Sequence, residues 1–467
     1  MMNSPIQQIK ERLTIEEVVS SYIPLIKVGN SLKAKCPFHN EKTPSFFIST
    51  ERNSYYCFGC AKGGDIFSFV EEFEGLDFKG ALKLLADRAG VKLDNFNSKE
   101  EGEKEKLYRV MEEATKFFEN NLIKNAEALE YLKSRGLKNE TIKDFRLGVV
   151  PDLWRELYTY LKQKGFNDIE IEKAGLAKKT EKGFYDRFRG RIMFPISDSS
   201  GRVIAFSGRI FGSASENPVN AKYLNSPETP IFIKSSVLYG LDKAKEYIRK
   251  NNFSILVEGQ LDLLLSHQAG WKNTIATSGT ALSDSTFSKE NSLSNLGLVR
   301  RLSSNIVLSF DGDKAGFSAT ERAGKIALVL GMDVKVTNLP DGLDPADLIQ
   351  KEGVDSWKDR IKNSKHIIEF ISNRIVENFK NDSRKIGREV KEKVLPYLVL
   401  LPSSIEVAHF LKYLSDTTGI PMEALKNDLK QVERESGDIF IESIKQYGDK
   451  ELVDREESIL ERLFGVI

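Results

Sequence analysis

The sequence predicts a multidomain protein that joins α+β and α/β parts, and three observations carry that prediction. All three cysteines fall between residues 36 and 60, with a histidine among them. From about residue 251 to 352 apolar strand-like runs alternate with helical patterns, and beyond Gly353 the apolar spacing is helical. At 467 residues, and at roughly 150 residues to a domain, about three cores fit.

Composition narrows the function classes. Hydrophobic residues make up 40% and charged residues 29%, the balance of an ordinary folded protein rather than a disordered or membrane-embedded one. No window offers a transmembrane helix, and the start, MMNSPIQQIKERLTIEEVV, turns amphipathic and acidic where a signal peptide would hold an apolar core. A cytoplasmic protein with no membrane partner is expected, and a monomer. Three clustered cysteines do not make a secreted disulfide framework and point to metal binding. The net charge of +1 hides a segregation: residues 178–249 carry 13 Lys or Arg against 7 Asp or Glu, and residues 258–347 carry 8 against 11. Such neighbours suit an enzyme that holds a polyanion on one side and divalent cations on the other, with a solvated charged surface as the equal alternative.

In order along the chain, residues 1–96 read as one small module with strand-like FFIST and SYYCF followed by an amphipathic helix. Residues 97–106, NSKEEGEKEK, lack apolar spacing and read as a linker. Residues 107–250 form a mixed, basic subdomain. Residues 251–352 hold SILVE, LDLLLSHQAG, NTIAT, NIVLSFD, a helix over 315–330 and DVKVTNLP, an alternation that predicts a Rossmann-like parallel sheet. Residues 353–435 are a helical subdomain. Residues 436–467 end in one amphipathic helix with Ile459, Leu460, Leu463 and Phe464 on one face, which cannot bury that face alone.

Two knuckles, Cys36-Pro37-Phe38-His39 and Cys57-Phe58-Gly59-Cys60, stand 17 residues apart. Three thiolates and one imidazole complete a tetrahedral zinc set, and a filled set leaves no open position for a catalytic water, so one structural zinc is expected. The alternative is reduced core cysteines beside a chance histidine. Around them lie Lys33, Lys35, Phe46, Arg52, Tyr56 and Phe58, cations and ring faces of the kind that bind unpaired nucleic acid. For Phe46 and Tyr56 a place in the module's own core is an equal reading.

Acidic residues gather where three strands of the parallel sheet end: Glu258 after SILV, Asp311 and Asp313 after NIVLSF, and Asp344 and Asp347 in DPAD. Open α/β sheets place ligands at that edge. Carboxylates so close repel one another unless cations lie between them, so two or more catalytic Mg²⁺ ions are expected, with Mn²⁺ as a substitute. An EF-hand over Asp311–Gly316 is disfavoured, because Ala315 and Arg322 occupy positions that calcium needs as oxygen donors.

The stretch Lys35 to Phe46, with Tyr56-Cys57-Phe58-Gly59-Cys60 and Gly63-Gly64-Asp65, resembles the CHC2 zinc-binding domain of bacterial DNA primases. The EGQLD, DGD and DPAD segments resemble the TOPRIM domain that primases share with topoisomerases, some nucleases and a recombination protein. Asp186 to Ile196, Gly201 to Arg209 and Lys222 to Thr229 look like the basic subdomain of those primases. The resemblance runs from about Thr14 to about Asp347. It implies a nucleotidyltransferase that makes short RNA primers on single-stranded DNA from ribonucleoside triphosphates. It also implies Glu258, Asp311 and Asp313 as the central acids, with Asp344 and Asp347 in support. Ala346 stands where the primase pattern often has Asp, which puts the metal role of Asp347 in doubt. By the same resemblance Arg187, Arg191, Arg202 and Arg209 contact template or nucleotide phosphates, and Lys222, Tyr223, Asn225 and Lys234 hold the incoming triphosphate. A surface salt bridge remains the alternative for any single arginine. A topoisomerase would need a nucleophilic tyrosine in a recognisable setting, and a recombination mediator would not need the basic subdomain. The resemblance further implies a replicative helicase (DnaB) as partner, with weak docking expected because only about 30 residues follow the core.

Overall fold

A computed structural model describes residues 4–29, 31–38, 41, 43–93, 102–212, 221–279, 295–380 and 382–435. His39 and the amphipathic segment 436–467 lie outside the described residues. The chain divides into two compact units, Met1–Ser364 and Lys365–Ile467. Among the described residues no helix is long and apolar enough to cross a membrane.

The first unit opens with the cysteine module. Its strands Ile26–Val28, Ser31–Ala34, Phe46–Ser49, Ser54–Cys57 and Gly63–Gly64 form an antiparallel sheet in chain order. Helices Ile66–Glu74 and Phe78–Ala89 close it, started by the side chains of Asp65 and Asp77, which accept backbone N–H groups of the first turn. Phe46 is fully buried and stacks on Tyr55 at 5.0 Å, so its ring is core. Tyr56 and Phe58 face outward, 45% and 72% exposed. Neighbours on a strand point to opposite faces, so Tyr56 turns outward between the buried Tyr55 and Cys57.

Helix Glu103–Lys124 begins inside the stretch 97–106 that lacks apolar spacing, so residues 103–106 are its first turn and not linker. Lys106 and Lys173 tie that turn down through Glu170 and Glu103. The helix packs on an antiparallel sheet ordered Tyr223–Asn225, Val203–Ile210, Arg191–Ser197, Gly148–Val150. Beyond it lie the strands Thr274–Ala276, Ser254–Val257, Asn305–Leu308 and Asp333–Val336, all parallel in that order. The first three are almost wholly buried because helices Gln260–Gln268 and Lys314–Val329, among others, cover the sheet, while in the fourth the exposed Asp333 and Lys335 alternate with the buried Val334 and Val336.

Helix Val354–Lys362 belongs to this first unit, which moves the boundary expected at 352/353 to Ser364. The reason is Trp357: it is fully buried in the cluster that includes Leu264 and Leu348, and its indole N–H donates to Ser266 Oγ at 3.1 Å. The second unit is helical, with Ile367–Asn378, Ser383–Lys393, Leu395–Val399 and Ser404–Thr418. Tyr397 and Leu414 are at its core, and Tyr413 donates to Asn373 Oδ1 at 2.7 Å.

The cysteine module sits on the core through charge. Glu74, with only 3% of its side chain exposed, pairs with Lys245 Nζ at 3.2 Å and Arg249 Nη2 at 3.0 Å, both on helix Leu241–Asn251. Ser199 Oγ donates to the Glu74 carbonyl at 2.6 Å, and Arg301 donates to the carbonyls of Glu72 and Phe73. These donors satisfy the last carbonyls of helix Ile66–Glu74, which have no partner within it.

Candidate metal centre and carboxylate site

The sulfurs of Cys36, Cys57 and Cys60 lie within 4.8 Å of one another. Cys36 Sγ and Cys60 Sγ are 3.8 Å apart, the edge expected of a tetrahedron whose corners stand about 2.3 Å from a zinc ion. The donor set therefore fits zinc. Burial opposes ionisation of Cys57, but hydrogen bonds from Ser45 and from the N–H groups of Cys60 and Gly59 outweigh it and hold the thiol below its ordinary pKa. Glu41 braces the first knuckle by accepting from the Cys36 N–H at 2.6 Å and the Ser45 N–H at 2.9 Å.

The second centre is built by strand ends. Strand Ser254–Val257 delivers Glu258, strand Asn305–Leu308 leads to Asp311 and Asp313, and Asp344 starts helix Pro345–Glu352. Asp313 and Asp344 both cap helices: Asp313 Oδ1 accepts from the Gly316 N–H at 2.8 Å, and Asp344 Oδ1 from the Asp347 N–H at 2.6 Å. Gly316 is required there, because a Cβ would collide with the Asp311 carbonyl. Glu258 Oε1 accepts from the Asp311 N–H at 3.3 Å.

Crowded carboxylates hold protons. Burial first, then Glu258, Asp344 and Asp313, push Asp311 up to about 7, against the pull of Lys222. Burial raises Glu258 as well, with Asp313 adding to it. Asp311 Oδ1 is buried and has no hydrogen-bond partner among the described residues. Among the described residues only the three cysteines bring three ligand-type donors within 4.8 Å, so the carboxylates form a more open ring than the thiol site. Hard oxygen donors gathered in this way fit a divalent cation.

Asp262, in the EGQLD segment after Glu258 and given no role of its own from the sequence, is buried in this ring. Its Oδ2 accepts from the Gly259 N–H at 2.9 Å and its Oδ1 from the Ala346 N–H at 3.0 Å, so it ties the loop after Glu258 to the loop after Asp344. Burial, then Asp344 and Asp311, raise its pKa well above the carboxylate range. The four-residue step from Glu258 was the available signal. Asp347, by contrast, turns outward to Lys351 Nζ at 2.9 Å.

The basic residues divide. Lys222 is exposed and acts on Asp311. Arg187 Nη2 donates to the Asn225 carbonyl at 2.9 Å, and Asn225 Nδ2 to the Ser278 carbonyl at 3.0 Å. Arg209 donates to the Tyr223 hydroxyl at 2.6 Å. Lys234 stands on the turn Lys234–Ser236, whose first N–H donates to Glu228. Two arginines are held by the protein itself. Arg191 is buried and its Nη1 donates to the carbonyls of Gly208 at 2.9 Å and Ala221 at 3.0 Å, which stitches the antiparallel sheet. Arg202 is bound by Asp198 and Asp77 and stacks on Tyr108 at 4.1 Å, joining the cysteine module to the core.

A zinc ribbon joined to a basic sheet and a carboxylate-rimmed parallel sheet defines a metal-dependent enzyme of the nucleotidyltransferase class. Family models match as a CHC2 zinc finger over residues 1–101, a DNA primase catalytic core, N-terminal domain, over 117–245, and a Toprim-like domain over 255–349. A DNA primase of Clostridium acetobutylicum is 36% identical over 428 residues, covering 90% of this chain and 68% of the relative. The crystal structure of the Aquifex aeolicus primase, with zinc binding and RNA polymerase domains, matches with 32% identity and a TM-score of 0.60 over 91% of this chain and 99% of that one. A DnaG primase catalytic domain bound to single-stranded DNA matches with 30% identity and a TM-score of 0.57 over 68% of this chain and 97% of that one. The chain belongs to the bacterial DNA primase family, whose enzymes synthesise RNA primers for DNA replication.

Proposed function

We propose that this chain builds primers by joining ribonucleoside triphosphates on a single-stranded DNA template at the carboxylate ring. The single observation that carries the reading is the convergence of Glu258, Asp311, Asp313 and Asp344 at the ends of parallel strands, with Asp311 Oδ1 buried and without a partner among the described residues. Carboxylates gathered there, each opposing the ionisation of its neighbours, suit cations. Glu258, Asp311, Asp313 and Asp344 would hold Mg²⁺, or Mn²⁺ in its place, which when bound neutralises charge on the transferring phosphoryl group. The 3′-hydroxyl of one nucleotide attacks the α-phosphate of the next, the bond to the β-phosphate oxygen breaks, pyrophosphate leaves, and the hydroxyl proton passes to solvent.

The chain's own part is positioning. Asp262 fixes the two acidic loops relative to each other through its two backbone acceptor contacts. Lys222 brings an exposed cation to the ring for the triphosphate. Tyr56 and Phe58, exposed on the zinc ribbon, offer ring faces to unpaired template bases. A single-stranded template is supported by the relative whose catalytic domain is bound to single-stranded DNA. Replication places the enzyme in the cytoplasm.

The test is synthesis of short RNA from single-stranded DNA, ribonucleotides and Mg²⁺. Glu258→Gln, Asp311→Asn and Asp313→Asn each keep shape and remove a charge, so each is expected to lower the rate at least 100-fold on the order of one lost metal ligand while circular dichroism stays unchanged. Wild-type rates in all three at saturating Mg²⁺ would refute the assignment.

A further inference from the structure

A buried polar atom without a partner costs about 1–3 kcal/mol, so folded proteins hold few of them. Among the described residues three such atoms, Arg187 Nε, Asn225 Oδ1 and Ser278 Oγ, lie on one hydrogen-bonded chain. Arg187 Nη2 donates to the Asn225 carbonyl, Asn225 Nδ2 donates to the Ser278 carbonyl, and the Ser278 N–H donates to the Glu258 carbonyl at 2.9 Å. The chain thus ends at the carboxylate ring, where Asp311 Oδ1 is a fourth such atom. Ser278 is 6% exposed and has a φ of +54°, in the left-handed region that serine seldom enters. Strain and an unbonded hydroxyl at one residue, next to a catalytic strand end, are the marks of a ligand contact.

The chemistry of these atoms limits what the ligand is. The Ser278 carbonyl needs a donor, which orients the Asn225 amide with its NH₂ toward Ser278 and leaves Oδ1 as the free atom. Oδ1 only accepts. The ionised oxygens of a triphosphate also only accept and cannot bond to it. A sugar hydroxyl does both: it donates to Asn225 Oδ1 and accepts from Ser278 Oγ–H. We propose that Asn225 and Ser278 form the ribose subsite of the incoming nucleotide and select a ribonucleotide over its 2′-deoxy form. The inference rests on the polymerase reading above and moves Asn225 from triphosphate to sugar.

A site built to bond a hydroxyl rejects the analogue that lacks it, because its own polar groups are then left unpaired. Ser278→Ala removes the hydroxyl alone; Ser278→Gly removes it and also relieves the left-handed backbone, so it cannot fail through added strain. Both are expected to raise KM for ribonucleotides about tenfold, the worth of one hydrogen bond, while the inhibition constant of a 2′-deoxynucleotide stays put. The preference for the ribonucleotide narrows by the same factor, and the Mg²⁺ dependence does not move. An unchanged ribonucleotide KM and preference in Ser278→Gly overturns the subsite. Equilibrium binding of ATP and dATP makes the comparison without synthesis: equal affinities in the wild-type chain overturn it too. A wild-type chain that makes no RNA, yet binds ATP over dATP in a Ser278-dependent way, upholds the subsite and sinks the polymerase reading.

Discussion

Glu74→Gln tests whether the zinc ribbon is held to the core by charge. The substitution keeps the shape and one acceptor but removes the carboxylate that faces Lys245 and Arg249. Those two side chains are 15% and 26% exposed, too buried for the 0–1 kcal/mol typical of exposed pairs. Breaking a fully buried pair costs about 3–5 kcal/mol. Lys245 keeps its bond to the Ser199 carbonyl at 2.8 Å, and Arg249 keeps its stacking on Tyr22 at 4.6 Å, which bring the expected loss down. A destabilisation of about 2–3 kcal/mol follows, or roughly a 30- to 150-fold shift in the folding equilibrium. Urea unfolding of Glu74→Gln, Arg249→Gln and the double variant reads it, with a coupling of at least about 1 kcal/mol expected between the two sites. A single-variant loss under about 0.5 kcal/mol with additive effects would refute the charged latch.

Cys57→Ser is expected to abolish stoichiometric zinc and to weaken template binding more than core catalysis, because a closed site that loses one thiolate destabilises the whole small module; zinc retained at one per chain in the variant would count against the assigned ligands. Asp311 sets a pH dependence. Its folded pKa of about 7 lies above the ordinary carboxylate value of 3.8, so the metal-free fold has this group's full contribution below about pH 4 and loses it as pH rises through about 7. Bound Mg²⁺ must displace that proton, so the Mg²⁺-induced rise in Tm should be larger at about pH 8 than at about pH 5.5, and equal rises would remove the basis for this account. Arg191→Ala, which strips two backbone carbonyls of their donor, is expected to cost about 1–3 kcal/mol of stability and leave the nucleotide KM unchanged; a raised KM with an unchanged Tm would restore its phosphate role.

Local rules sufficed for much of this molecule. Two tight knuckles put Cys36, Cys57 and Cys60 on one point because ligands within a short turn have little room to diverge. Glu258, Asp311 and Asp344 were legible because strand ends follow from apolar runs and parallel sheets gather ligands at one edge. What the tertiary structure decided is which of several chemically equal residues face the site. Arg191 and Arg202 have the same guanidinium as Arg187, and only packing shows that backbone carbonyls and the carboxylates Asp77 and Asp198 already occupy them. The role of Asp262, the place of Ser278 and the boundary at Ser364 were hidden for the same reason. Each depends on partners far away in the chain, Ala346 for Asp262, Asn225 for Ser278 and Ser266 for Trp357, and burial against distant partners leaves no periodic trace in the local sequence.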